Sequence, residues 1–165
     1  MAKSKEEKTN AMRILDRMRL PYRVNYYQCD AFTDGMQIAD LLGQSYAQTF
    51  KTLVAEGKSG RFHVFVLPVD QELDLKAAAR EAGEKNVSLL HVKDIKAATG
   101  YIRGGCTAIG MKKPYPVVIH KSCMSFEEII VSGGALGVQL FISPAVFIQA
   151  TGAKTADIIL REPAV

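Results

Sequence analysis

Long apolar runs and paired cysteines are missing from this sequence of 165 residues. No apolar run approaches the roughly 20 residues of a membrane-spanning helix, so no membrane partner is expected. The N-terminus, MAKSKEEKTNAMRILDRM, lacks the apolar core of a signal peptide and is too acidic for a transit peptide. Three scattered cysteines without a C-x-x-C pair argue against a disulfide framework or a zinc site. The sequence therefore predicts a reduced, cytoplasmic protein.

Acidic residues are missing from two long segments. Residues 95–126 and residues 44–55 contain no Asp or Glu, and the chain carries a formal net charge of +4 at pH 7. If the two segments share a face, that face is positive and suits a polyanionic partner. The alternative is a solvated surface with uneven charge. The basic residues of these segments are Lys51, Lys96, Arg103, Lys112, Lys113 and Lys121.

Hydrophobic periodicity and turn residues predict helices and strands in mixed order. A capping pattern at Ser4 and Glu7 begins a first helix, which Pro21 ends. Further helices are predicted over residues 37–42, 73–82, 92–99 and 144–151, and strands over residues 22–27, 50–55, 61–67, 87–91, 117–120, 128–131, 138–142 and 158–160.

The order of these elements indicates the fold class. Strands come in hairpin-like pairs with helices between them rather than in strict alternation, and no repeat or linker interrupts the chain. This order favours a single α+β domain over residues 1–165, built on a mixed sheet, rather than a doubly wound fold.

The glycine-rich stretch TGYIRGGCTAIGMKK, residues 99–113, is the first candidate for chemistry. Gly105 and Gly110 have the spacing of a Walker A motif, but Met111 stands where the lysine is required, and no G-x-G-x-x-G is present. Two interpretations remain from the residues alone. The glycines either allow backbone N–H groups to approach a ligand, as in an oxyanion hole, or form a tight turn.

Nucleophile and metal candidates are weak. Cys106 lies within the glycine-rich stretch, but a catalytic thiolate usually needs a histidine base, and no pattern directs His63, His91 or His120 to it. No group of residues has metal-ligand spacing. The pattern favours a structural role for each histidine.

Lys51 is a better candidate for a functional residue than Cys106 or the histidines. It stands at the edge of the apolar strand QTFKTLVA, where a lysine either reaches into a pocket and binds an anion or extends its amine to water. Ser132 follows the apolar strand EIIV in a turn of small residues, where its hydroxyl can face a ligand.

Three motifs in order carry a resemblance: F-K-T-L at 50–53, T-G-Y-x-x-G-G-x-x-x-x-G-x-K-K at 99–113, and V-S-G-G at 131–134. The chain resembles the YbaK/EbsC group of aminoacyl-tRNA deacylases, relatives of the editing domain in some bacterial prolyl-tRNA synthetases. The resemblance extends from about Leu20 to Ile159. It implies an α+β fold whose mixed sheet is curled toward a barrel, with helices packed around it.

The resemblance also implies an activity. The family removes a wrong amino acid, typically Cys or Ala, from proline tRNA, and T-G-Y and G-M-K-K favour Cys-tRNA(Pro). For cysteinyl esters the substrate thiol is thought to attack its own carbonyl. The implied partners are tRNA, either mischarged proline tRNA or cysteine tRNA, and prolyl-tRNA synthetase, with no cofactor. Three alternatives stay open: an Ala-tRNA(Pro) deacylase, a non-catalytic tRNA-binding or synthetase-accessory protein, and a thiol enzyme using Cys106.

Eight residues form the predicted site. The resemblance places the family's essential lysine on Lys51, its loop glycine on Gly104, and substrate-binding residues on Tyr27, Thr52 and Ser132. The chemistry of an ester at the end of a tRNA adds three: the N–H of Gly105 suits the oxyanion together with Gly104, and Lys112 and Lys113 suit the tRNA backbone. Lys51, Gly104 and Gly105 are the catalytic set, in which Lys51 suits either the terminal phosphate or the ester oxygen.

The chain departs from the family pattern at two places. Thr107-Ala108 replaces the family's Ser-Pro in the loop, and a family phenylalanine before the second helix is replaced near Asp34. Both changes bear on the rigidity or the shape of the pocket.

Overall fold

A computed structural model describes residues 7–161. Helices and strands alternate irregularly along this part of the chain. The α-helices are α1 (Asn10–Arg17), α2 (Gly35–Leu42), α3 (Leu75–Ala82), α4 (Val92–Thr99) and α5 (Pro144–Thr151), with a 3₁₀ helix over Lys121–Ser125. The strands are β1 (Arg23–Tyr26), β2 (Phe50–Gly57), β3 (Phe62–Pro68), β4 (Val87–Leu89), β5 (Val117–His120), β6 (Ile129–Ser132), β7 (Val138–Ile142) and β8 (Lys154–Ala156).

The described strands form two sheets. One is antiparallel, in the order β1-β7-β6, and the other is mixed, in the order β4-β2-β3-β5-β8 with β3, β5 and β8 parallel. The predicted α+β class with a mixed sheet is confirmed. The predicted curling toward a barrel is wrong, because both sheets are open. Strand β4 pairs with β2 over residues 55–57, at one end of β2. At the other end, an isolated bridge joins Thr49, just before β2, to Ile130 of β6.

Local capping signals set most helix ends. Asp34 and Gln37 form a reciprocal capping box at the start of α2, and Gly43 ends that helix in the left-handed region at φ +69°. Helix α1 begins at the N-cap Thr9, whereas the predicted cap Ser4 lies outside the described residues. In the described part of the chain no helix is long and apolar enough to cross a membrane.

The last predicted strand, over residues 158–160, is wrong. Strand β8 covers Lys154–Ala156 instead, while Ile158 is fully buried and Ile159 makes a single bridge to Leu73. Ile158 and Ile159 pack into an apolar cluster that includes Phe65, and they do not form a strand at the edge of the sheet.

A cluster of hydrogen bonds fastens the β2–β3 hairpin to the end of α3. His63 Nε2 lies 2.8 Å from Glu84 Oε2, and the Ser59 hydroxyl donates to the same carboxylate oxygen at 2.6 Å. These hydrogen bonds lower the pKa of Glu84 to about 2. His63 therefore has a structural partner.

Candidate active site

A cavity of about 390 Å³ opens between the two sheets, and its volume is within the range of small-molecule binding sites in proteins. Its walls come from the loop between β1 and α2, the first half of β2, the glycine-rich loop and the end of β6. These segments are distant in sequence. Five of the eight predicted site residues line it, namely Tyr27, Lys51, Thr52, Gly104 and Ser132; their roles remain predictions.

Lys51 contributes a half-buried cation to this cavity. It lies opposite Leu67 in the β2–β3 ladder. Burial lowers the pKa of its amine, and the carboxylates of Glu72, Asp70 and Asp34 act against that shift. Within residues 7–161 its Nζ forms no hydrogen bond or ion pair. An ammonium group held in a cavity without a carboxylate partner is suited to an anion or to an oxygen that gains negative charge.

The two glycines of the loop differ in what their amides can do. Gly104 lines the cavity at φ +88°, and its N–H has no acceptor among the described residues. The Gly105 N–H donates to the carbonyl oxygen of Ile102 at 2.9 Å, and Gly105 lies outside the cavity lining. Of these two glycines, only Gly104 has an amide without an acceptor in the described part of the chain, so the geometry does not support the donor role predicted for Gly105.

Gly105 is instead a point of close backbone approach. A Cβ there would lie 2.9 Å from the Cα atom of Ala135, nearer than real Cβ contacts occur. The glycine-rich loop and the turn after β6 can therefore touch only because residue 105 has no side chain.

Tyr27 and Ser132 are held by the same turn after β6. The Tyr27 N–H donates to the Gly137 carbonyl at 2.9 Å, and the Ser132 hydroxyl accepts from the Gly134 N–H at 3.2 Å. Burial raises the pKa of Tyr27, so its phenol is a neutral hydrogen-bonding group near pH 7. Gly137, at φ +80°, lies so close to the Tyr27 carbonyl that a Cβ would be 2.6 Å away.

Lys112 and Lys113 do not line the cavity. Both are exposed, and Lys112 Nζ donates to the Ala97 carbonyl oxygen at 3.0 Å, near the C-terminal end of α4. A cation there interacts favourably with the helix dipole. Their predicted contact with a tRNA backbone is therefore a contact outside the cavity.

Helix α1 fastens the glycine loops, a role that the sequence analysis missed. The Thr9 hydroxyl donates to the Gly133 carbonyl at 2.6 Å, and Asn10 Nδ2 donates to the Gly110 carbonyl at 2.6 Å. These pairs are separated by 100 residues or more, so no local pattern reveals them.

A partly buried amide cluster on the cavity wall was also missed. Gln139 lines the cavity and exchanges two hydrogen bonds with Gln44, at 2.8 and 3.0 Å. Asn25 donates to the same Gln139 oxygen at 3.1 Å. Because these amides satisfy one another, the wall is held rigidly from β1, β7 and the end of α2.

No activated nucleophile is found in the cavity among residues 7–161. Cys106 lines it, but burial raises the pKa of its thiol to about 11, so the thiolate is scarce near neutral pH. His120 is buried beside Ser122 and Asp157, and neither it nor the other two histidines lines the cavity. In the described residues no group of three His, Cys, Asp or Glu could hold a metal ion.

A family model and a curated relative both connect this chain with aminoacyl-tRNA editing. A family model described as the aminoacyl-tRNA editing domain matches residues 34–150. A protein of Enterococcus faecalis, named "Putative Cys-tRNA(Pro)/Cys-tRNA(Cys) deacylase EbsC", is 40% identical over 164 residues, which is 98% of this chain and 100% of that protein.

Two solved structures share the fold. The crystal structure of the hypothetical protein APE2540 has a TM-score of 0.84 at 25% identity, covering 92% of this chain and 99% of that one. A structure titled "putative trans-editing enzyme for prolyl tRNA synthetase" has a TM-score of 0.80 at 22% identity, covering 94% and 100%.

Proposed function

The chain belongs to the aminoacyl-tRNA editing domain family, and on that premise we propose that it is a trans-editing deacylase that removes cysteine from proline tRNA. The name of the Enterococcus relative supports this choice of amino acid and tRNA. The whole chain, residues 1–165, acts as one deacylase domain in this proposal, with tRNA as its partner and with prolyl-tRNA synthetase as the enzyme whose errors it corrects.

The observation that carries the proposal is the composition of the cavity. It combines the half-buried cation of Lys51, the Gly104 amide and polar side chains, the carboxylate of Asp34 among them, in an otherwise largely apolar wall. In this proposal Gly104 donates its N–H to the ester carbonyl oxygen, and Lys51 offsets the negative charge that develops as the carbonyl is attacked. Tyr27, Thr52 and Ser132 orient the amino acid and the ribose.

The nucleophile in this proposal is the thiol of the bound cysteine. Its sulfur forms a bond to the carbonyl carbon, the ester C–O bond breaks, and the ribose hydroxyl leaves with the thiol proton. The products are a cyclic thiolactone and free tRNA. Holding the thiol and carbonyl in reactive geometry supplies much of the rate, so the protein needs no nucleophile of its own. The high pKa of Cys106 is consistent with this.

A panel of purified aminoacyl-tRNAs tests the proposed function. We expect release of cysteine from Cys-tRNA(Pro) to be faster than release of alanine from Ala-tRNA(Pro), and Pro-tRNA(Pro) to survive. Faster release from Ala-tRNA(Pro) would make the protein an alanine-editing member of the family. No release from any member of the panel, together with tRNA binding, would indicate an accessory protein.

The same assay separates cyclisation from hydrolysis. An ester of 2-aminobutyrate has a methyl group where cysteine has its thiol, so it fits the same space but cannot cyclise. Cyclisation predicts that this ester survives when attached to proline tRNA. Cleavage at the rate of the cysteinyl ester would identify water as the nucleophile.

Cys106 is expected to be dispensable. Cys106→Ser should keep activity within a few-fold of wild type, because a thiol with a pKa of about 11 is protonated at pH 7 and attacks nothing. Initial rates on Cys-tRNA(Pro) measure this, with circular dichroism to confirm folding. A folded but inactive Cys106→Ser variant would replace the proposed mechanism with a thiol mechanism.

Lys112 and Lys113 are expected to contact the tRNA backbone. The double change Lys112→Glu, Lys113→Glu should weaken tRNA binding at low salt. It should flatten the slope of log affinity against log salt by about one unit per lost contact. Cleavage of a 3′-cysteinyl adenosine, which does not extend beyond the cavity, should change little.

Two controls accompany that measurement. Because Lys112 also caps α4, the neutral pair Lys112→Gln, Lys113→Gln separates lost contacts from an acid placed at a helix end. Lys58→Glu, at the tip of the β2–β3 hairpin, controls for net charge. If cleavage of Cys-tRNA(Pro) and of the adenosine ester fell equally, the two lysines would act in the fold or in the active site. If neither tRNA binding nor cleavage fell, tRNA would approach the protein from another side.

A further inference from the structure

An arginine and a phenylalanine form an exposed pair on the cavity wall. The guanidinium carbon of Arg103 lies 3.9 Å from the centroid of the Phe32 ring, and both residues line the cavity. Phe32 is 44% exposed, and Arg103 is exposed as well. The pair therefore lies where a ligand that fills the cavity meets solvent.

The glycine-rich loop holds this pair in place. Gly104 follows Arg103 directly, and a Cβ at Gly104 would lie 3.1 Å from Cδ1 of Phe32 and 2.8 Å from Cδ2 of Leu136. The Phe32 ring thus packs closely on the bare backbone of Gly104. The same residue presents its free N–H, so the arginine and that amide share one rigid support.

The N–H donors of the Arg103 guanidinium are available to a ligand. Within residues 7–161 it forms no hydrogen bond and no ion pair. A second arginine–phenylalanine pair in the molecule behaves differently. Arg23 lies 4.6 Å over the ring of Phe141, but it also forms an ion pair with Glu128 at 2.7 Å. The stack at Arg103 orients a planar cation whose donors remain available.

We propose that Phe32 and Arg103 form a clamp for the phosphodiester that joins the terminal adenosine of the tRNA to the preceding nucleotide. This inference rests on the proposed function, which puts the ester in the cavity. It divides the charges of the site: the half-buried Lys51 serves the ester, and the exposed Arg103 serves the phosphate. The fork of a guanidinium matches two phosphate oxygens, and the aromatic ring keeps the fork oriented.

Two esters that differ by a single nucleotide and its phosphodiester test the clamp. One is 3′-cysteinyl adenosine, and the other carries the same ester on cytidylyl-(3′→5′)-adenosine. Wild type is expected to prefer the dinucleotide ester in kcat/KM by about tenfold or more, the scale of a charge-assisted hydrogen bond. Arg103→Ala should abolish most of that preference, and Arg103→Lys should restore only part of it because ammonium lacks the fork. Phe32→Leu should lower it by releasing the arginine.

Arg23→Ala is the matched control, since it removes a stacked arginine away from the cavity and should preserve the preference. Equal losses of Arg103→Ala on both esters would overturn the clamp and would assign Arg103 to the base, the ester or the loop. An unchanged preference would overturn it as well.

A binding titration with cytidylyl-(3′→5′)-adenosine that carries no amino acid, and with adenosine, separates this inference from the proposed function. Affinity for the dinucleotide that falls about tenfold in Arg103→Ala, while neither ester is cleaved by wild type, would support the clamp and contradict the deacylase proposal. Dinucleotide affinity that does not depend on Arg103 would overturn the clamp even in an active enzyme.

Discussion

Lys51→Ala is expected to slow release of cysteine from Cys-tRNA(Pro) by at least about 100-fold, the scale for losing one positioned charge-stabilising group. Lys51 is the half-buried cation of the cavity and has no ionic partner among the described residues. Its removal leaves the developing charge on the ester with the Gly104 amide alone. Single-turnover rates on pre-charged tRNA measure the loss without the complication of product release.

Controls can separate chemistry from folding at this position. The unfolding free energy of Lys51→Ala should equal or exceed that of wild type, because burial disfavours the charged amine. Lys58→Ala, just beyond the far end of the same strand, should retain full activity. Lys51→Arg should recover little, because a planar guanidinium does not fit the place of an ammonium in a confined site. Near wild-type turnover by a folded Lys51→Ala variant would remove Lys51 from the mechanism.

Gly105→Ala is expected to cost about as much activity, for a different reason. The added Cβ would lie 2.9 Å from the Cα and 3.1 Å from the N and C atoms of Ala135, all backbone atoms that no side-chain rotation can move. The loop that carries Gly104 must then separate from the turn that follows Ser132. We expect turnover to fall about 100-fold as the Gly104 amide moves, and unfolding free energy to fall by about 1–3 kcal/mol.

Gly60→Ala is the matched control for that prediction. Gly60 has a φ of +89°, and a Cβ there would have no atom within 4 Å, so alanine meets backbone strain but no neighbour. It should cost stability of about 1–2 kcal/mol and leave turnover intact, since it lies at the tip of the β2–β3 hairpin. Wild-type turnover by Gly105→Ala would show that the two loops need not touch.

The sequence by itself determined the elements whose signals are local. The helices predicted over residues 37–42 and 144–151 and the strands predicted over residues 50–55 and 61–67 depend on residues a few positions apart. They match the structure within a few residues. The motifs at 50–53, 99–113 and 131–134 likewise indicated the family. Its apolar strand made Lys51 a candidate anion-binding residue, and the matching family position chose that role over an amine extended to water.

Only the tertiary structure decided how these pieces meet. Whether the strands form one sheet or two depends on which edges pair, and the bridge between Thr49 and Ile130 joins residues that no local pattern relates. The distinct positions of Gly104 and Gly105 depend on Phe32, Leu136 and Ala135, all of them distant from the two glycines in the sequence. Side-chain contacts between distant segments arise from the packing of the whole chain, so the orientation of each amide and each cation is a property of that packing.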